Sequence, residues 1–144
     1  MTEPAVFACA CATIRKAARA VSRLYDEALG DSGLTANQYT VLRYVSQLGE
    51  PHLSRLAEAL VMDRTTLYRA LQPMVSQGWL HIAPVGGRAK AARLTTKGAG
   101  VMKAATPAWE AVQQDFLDRI GAEEWRAISG GLRRAAELLR PPQT

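Results

Sequence analysis

Apolar residues recur at three- and four-residue spacing along most of the chain, and that period predicts a mainly helical fold. From Phe7 to Leu29, the residues Ile14, Ala17, Ala18, Val21, Leu24, Tyr25 and Ala28 line one side of a long amphipathic helix that Gly30 and Gly33 end. Thr35, with Gln38 three residues on, forms a capping box for a second helix, about Ala36 to Leu48, which Gly49-Glu50-Pro51 stops. Leu53, Leu56, Ala57 and Leu60 make the stripe of a short third helix, and Asp63 offers the N-cap of a fourth. In that fourth helix Leu67, Leu71, Met74 and Val75 face inward and Gly78 supplies the stop. Pro73 removes one backbone donor and should kink the helix late, leaving its first turns intact.

Trp79-Leu80-His81-Ile82-Ala83 and Ala91 to Leu94, separated by a turn holding Gly86-Gly87, read as a two-stranded hairpin. Thr95 caps a fifth helix to about Ile120, expected to bend at Pro107, and Gly121 separates it from a sixth, about Ala122 to Leu139. Trp125, Ile128, Leu132, Ala135, Ala136 and Leu139 fall on one side of the sixth, and Pro141-Pro142-Gln143-Thr144 should fray. The third and fourth helices are joined only by Val61-Met62-Asp63, the short connection of a helix-turn-helix unit. A hairpin directly after it has the place of a wing. The expected fold class is therefore mainly α with a small β-hairpin, a winged helix-turn-helix of six helices.

Charge sharpens this outline. The chain of 144 residues carries a net charge of +5, but residues 51–104 hold eight basic residues against two acids, a net of +6, and the remainder nets −1. A positive middle between nearly neutral ends suits a polyanion-binding module carried on a separate scaffold. At about 100° per residue, the face of the fourth helix opposite Leu67, Leu71 and Met74 carries Thr65, Arg69, Gln72 and Ser76, flanked by Arg64, Thr66 and Tyr68. No Asp or Glu lies on that face to repel a phosphate backbone. Arginine can bridge guanine O6 and N7, glutamine adenine N6 and N7, and threonine can meet a phosphate or a thymine methyl. The alternative is a solvated helix face without function. The hairpin adds Arg88, Lys90 and Arg93 around its glycine pair, a basic tip suited to phosphates or a minor groove.

The run Leu56-Ala57 … Met62-Asp63-Arg64-Thr65-Thr66-Leu67 … Arg69 … Gly78-Trp79-Leu80 … Arg88-Ala89-Lys90 … Leu94-Thr95 … Gly98, in this order of elements, resembles the MarR family of bacterial transcription regulators over nearly the whole chain. Its most specific parts are the start of the fourth helix and the Leu-Thr-x-x-Gly that leads from wing to fifth helix. Family members usually have Asp-x-Arg at the wing tip; here Gly86-Gly87-Arg88 keeps the arginine and lacks the acid. The resemblance implies a single domain over residues 1–144, with 35–95 as the DNA-binding lobe and helices within 5–30 and 96–140 as an obligate dimerisation scaffold. It also implies a small-molecule effector, often a phenolic or other aromatic anion, bound between scaffold and lobe. Dimerisation agrees with the residues themselves, because it would bury Ile14, Val21, Phe116, Trp125 and Leu132. Pairing also sets two reading helices about one DNA turn apart, so the expected partner is double-stranded DNA with an inverted repeat, bound by a homodimer acting as a repressor.

Other features suggest less. Cys9 and Cys11 read first as small buried packing residues and second as redox thiols, since some members of the resembled family sense hydroperoxides through a first-helix cysteine. Residues i and i+2 diverge on a helix, so a disulfide between them requires unwinding. His52 and His81 stand in unrelated elements without metal or catalytic spacing, and neither an enzyme's convergent set nor a cofactor motif is present in the sequence. Trp109 and Trp125 read as core or dimer interface. The apolar stretch Ala5 to Ala12 precedes the basic residues, the reverse of a secretory signal, and no run reaches membrane-span length, so the expected location is the cytoplasm.

Overall fold

A computed structural model describes residues 9–141. It contains α1 (Ala10–Leu29), a 3-10 turn (Gly30–Ser32), α2 (Ala36–Leu48), α3 (Leu53–Leu60), α4 (Arg64–Ser76), β1 (Leu80–Pro84), β2 (Lys90–Leu94), α5 (Thr96–Ile120) and α6 (Ala122–Leu138). The expected start of the first helix at Phe7 and the tail Pro142 to Thr144 lie outside the described residues. Within them the architecture is the expected one, six helices and a two-stranded antiparallel hairpin.

Local chemistry sets the boundaries. The Thr35 hydroxyl accepts from the Gln38 N–H at 3.1 Å while the Gln38 side chain accepts from the Thr35 N–H at 3.0 Å, the reciprocal capping box read from the sequence. From α1, Asp26 accepts the Ala36 N–H at 2.7 Å, so the first helix holds the start of the second. α4 ends with Gly78 at φ 76°, where the Trp79 N–H reaches the Met74 carbonyl and the Gly78 N–H that of Val75. That double bond satisfies two orphan carbonyls and needs the left-handed backbone glycine adopts freely. Neither Pro73 nor Pro107 ends its helix.

The hairpin pairs Leu80 with Leu94 through to Pro84 with Lys90, so β1 begins one residue after Trp79, which is instead buried beneath it. A third segment joins the sheet: His52 bridges Ala91, and the Ala92 N–H donates to the Pro51 carbonyl at 2.9 Å. The entry to α3 is thereby sewn to the wing.

The core is concentrated between α2 and the hairpin, with Val41, Leu42, Leu56, Leu67, Met74 and Ala92 at 0% exposure, and with Leu29 and Ala105 tying in α1 and α5. Tyr39 stacks on Trp109 of α5 at 5.7 Å and its hydroxyl meets that of Thr106 at 3.1 Å. The terminal helices are different. α1 buries only Leu29 and α6 only Ser129, while Ile14, Val21, Ile120, Ile128, Leu132, Leu138 and Leu139 are exposed. Two residues expected in a dimer interface, Phe116 and Trp125, meet each other edge to face at 5.0 Å and lock α5 to α6 within one chain.

Candidate nucleic-acid interface

The connection between α3 and α4 is a tight reversal. The Val61 N–H reaches the Glu58 carbonyl and the Met62 N–H that of Ala57, with Val61 at φ 53°. Asp63 then starts α4, its carboxylate accepting from the Thr66 N–H at 2.8 Å and the Thr66 hydroxyl at 2.9 Å. Those bonds, the backbone one foremost, hold the Asp63 carboxyl below the usual carboxylate range. The same pair occupies the Thr66 hydroxyl hydrogen, so Thr66 serves the cap and offers DNA only lone pairs and a methyl group.

Leu67, Leu71 and Met74 anchor α4 in the core, and this turns Arg64, Thr65, Arg69, Gln72 and Ser76 outward, all exposed. Tyr68 is half-buried beside them, with the Lys90 ammonium 5.9 Å from its ring centroid. This contact places a wing cation against the outer helix, within the range of a cation–π interaction. Arg88 and Lys90 are exposed at the hairpin end, where the Val85 N–H reaches the Ala89 carbonyl at 3.0 Å, and Gly86 and Gly87 supply positive φ. Thus Arg64, Thr65, Thr66, Tyr68, Arg69, Gln72, Arg88 and Lys90 all lie on accessible surface, Tyr68 in part.

Arg93 does not join them. It sits opposite His81 in the strand register and pairs with Glu50 at 3.2 Å, away from the hairpin tip, so its charge serves a salt bridge beside Pro51. Lys97 is likewise structural, donating to the Gln77 carbonyl at 2.8 Å at the electronegative end of α4. Sequence reasoning missed His52 and Ser54, which the sheet-like contact with β2 brings beside Arg64, Tyr68, Arg88 and Lys90. Nothing in the local pattern marks them, because their position depends on pairing with a strand about forty residues away.

In the single chain Cys9 and Cys11 are both exposed free thiols and not the buried packing residues expected. Cys9 is the N-cap, with extended backbone at φ −81° and ψ 116°, and only Cys11 is helical. His81 is an exposed strand residue. Among the described residues no group of three or more His, Cys, Asp or Glu could hold a metal ion, and no helix is long and apolar enough to cross a membrane.

Comparison with known proteins agrees with this geometry. The model of the IclR helix-turn-helix domain matches residues 39–82, from α2 into the first strand. The transcriptional regulator HosA of Escherichia coli O111:H- is 31% identical over 93 residues, 63% of this chain and 69% of that protein. The Mycobacterium tuberculosis transcriptional regulator MosR, solved in complex with DNA, is 36% identical, with a TM-score of 0.81 over 92% of this chain and 99% of that one. A cysteine-to-serine mutant of Escherichia coli MarR, solved with operator DNA, is 25% identical, with a TM-score of 0.77 over 85% and 90% of the two chains. With a basic winged helix-turn-helix on one side and relatives of this identity and coverage on the other, the chain belongs to the MarR family of DNA-binding transcription regulators.

Proposed function

We propose that the protein is a homodimeric repressor that acts in the cytoplasm, binds a palindromic operator and is released by a small aromatic anion. In this reading residues 1–144 form one MarR-like domain, 35–95 its DNA-binding lobe, and the helices within 5–30 and 96–140 its dimerisation scaffold. One observation carries the proposal: the exposed face of α4 presents Thr65, Arg69 and Gln72 without an acid, next to Arg64, Arg88 and Lys90. Inserted in a major groove, that face offers the donor sets that distinguish guanine and adenine, and the wing arginine is at hand for the adjoining minor groove. The exposed apolar residues of α1, α5 and α6 support pairing, since Ile14, Val21, Ile128 and Leu132 lack cover in the single chain. Two lobes on one two-fold axis then read half-sites about one DNA turn apart.

The seam between α2 and α5 suits the effector. Trp109 is half-buried there, stacked on Tyr39, with the Arg43 guanidinium 5.9 Å from its ring. An aromatic carboxylate could stack on that indole and pair with the guanidinium. Binding there would bias how the lobe sits on α5, and so the spacing of two reading helices. Selection of bound fragments from genomic DNA, with the oligomeric state measured in the same buffer, tests the whole reading. The expected result is a dimer enriching inverted repeats. A monomer, or enrichment no better than for random fragments, would refute it.

A second reading is favoured by the exposure of both thiols and the non-helical backbone of Cys9. Because Cys9 lies outside the helix, a Cys9–Cys11 disulfide needs less unwinding than two helical residues would. Peroxide would oxidise the two thiols to a disulfide and be reduced to two molecules of water. Gel shifts of the double Cys-to-Ser variant with and without peroxide separate the triggers, since an unaltered peroxide response would clear the cysteines.

A further inference from the structure

Where α3, α4 and the wing converge, His52, Ser54, Arg64, Tyr68, Arg88 and Lys90 line a notch of about 60 Å³. That volume is far below the roughly 300–1,000 Å³ of pockets for drug-sized ligands, and it suits a group the size of one oxyanion. Three cations and no carboxylate line it. Lys90 leans on the Tyr68 ring, which holds its ammonium at the rim, and His52, the residue before α3, makes no capping bond that would occupy its ring. The Ser54 hydroxyl adds a neutral donor from the first turn of the same helix.

The position of the notch identifies the oxyanion. A winged helix that lays α4 in a major groove and its wing in the neighbouring minor groove must straddle the sugar-phosphate strand that divides them. The gap between α4 and the wing is this notch, floored by the start of α3. We propose that it seats one DNA backbone phosphate per half-site, held by His52 and Ser54 together with Arg64, Arg88 and Lys90; this rests on the DNA-binding reading above. His52 and Ser54 then fix register on the duplex and carry no sequence information. Their loss weakens binding to every duplex alike, unlike the loss of Arg69.

The test uses the full chain, the duplex recovered by genomic selection, and a scrambled duplex of equal length. His52→Ala/Ser54→Ala should bind both about tenfold more weakly, with the preference between them unchanged. Both residues are exposed, so an unchanged circular dichroism spectrum and melting curve are expected controls. Single methylphosphonate linkages, walked along the selected duplex, should reveal one position per half-site that weakens the wild type more than the variant, which keeps Arg64, Arg88 and Lys90. Wild-type affinity in the variant, or a loss confined to the selected duplex, overturns the proposal. Inorganic phosphate should compete with DNA for the wild type better than chloride of equal ionic strength, and that advantage should shrink in the variant. If the wild type binds neither duplex, the DNA reading itself fails; if it binds and the variant matches it, this inference alone fails.

Discussion

Gly98 lies so close to the main chain of Trp79 that a Cβ added to it would stand 2.1 Å from the Trp79 carbonyl oxygen and 2.9 Å from its carbon. The same carbonyl accepts the Thr95 N–H at 3.1 Å, and the Thr95 hydroxyl accepts the Gly98 N–H at 2.9 Å and reaches the Gly78 carbonyl at 2.6 Å. This knot joins the end of α4, the start of the wing and the first turn of α5, and it is the physical content of the Leu-Thr-x-x-Gly motif. Any side chain at Gly98 must push backbone, which cannot swing aside as a flexible side chain can. Gly98→Ala is therefore expected to destabilise the fold by about 3 kcal/mol, the upper range for overpacking. A urea midpoint equal to that of the wild type would show that the contact yields.

Val61 has the opposite problem. It occupies the left-handed region at φ 53° in the turn between α3 and α4, where a β-branched side chain is strained, and it is 48% exposed, so little burial compensates. The turn geometry is over-determined by its two hydrogen bonds and by Asp63 downstream. Val61→Gly should relieve the strain and stabilise the protein by up to about 1 kcal/mol, after the entropy glycine loses on folding is deducted. A lower melting temperature for the variant would mean that the exposed isopropyl group contributes packing that outweighs the strain.

These two sites show how far local pattern reaches. Thr35 with Gln38, Asp63, Gly78 and Thr95 announce their helix ends because each acts on backbone within a few residues, and their bonds appear as the spacing implied. The outward turn of Thr65, Arg69 and Gln72 was legible for the same reason: Leu67, Leu71 and Met74 fix the rotation of α4. Contacts between distant segments were not. The Pro51–His52 bridge to β2 recruits His52 to the basic notch, Glu50 takes Arg93 from the tip, and Phe116 finds Trp125. Exposure of the thiols was also hidden, because alanine-rich surroundings read alike in a core and on an open helix.

Arg69 should carry base recognition. It is exposed at mid-helix on the outward face of α4, and no carboxylate pairs with it at salt-bridge distance among the described ion pairs. Arg69→Ala is expected to cost about 1–3 kcal/mol of discrimination, roughly five- to 150-fold in preference for the selected duplex over a scrambled one. Dimer mass and melting temperature should stay as they are. Unchanged preference in competition gel shifts would remove Arg69 from base reading.

Arg88 should act through charge alone. It stands at the exposed end of the hairpin beside Gly86 and Gly87, with no aromatic ring against its guanidinium among the described residues. Arg88→Ala should weaken binding to all duplexes and lower the slope of log affinity against log salt by about one for each phosphate contact removed. A slope identical to the wild type would mean that the glycine-rich wing stays clear of the backbone.

Asp63 links the stability of the reading helix to pH. Its carboxyl titrates below the ordinary range because the Thr66 N–H and then the Thr66 hydroxyl bind the charged form, with smaller help from the Thr65 N–H and the charge of Arg69. A depressed value in the folded state means that the stabilisation is fully present above the unfolded carboxyl value of about 3.9 and is lost as pH falls through the folded one. Asp63→Asn keeps an acceptor at the cap and cannot titrate, so its stability should fall less steeply than that of the wild type between about pH 5 and pH 2. Urea midpoints across that range measure the difference, and parallel curves would exclude Asp63 as the titrating group. The substitution also removes a negative charge next to the face offered to DNA. Duplex affinity at neutral pH should therefore rise for any sequence, and the gain should shrink as salt is added.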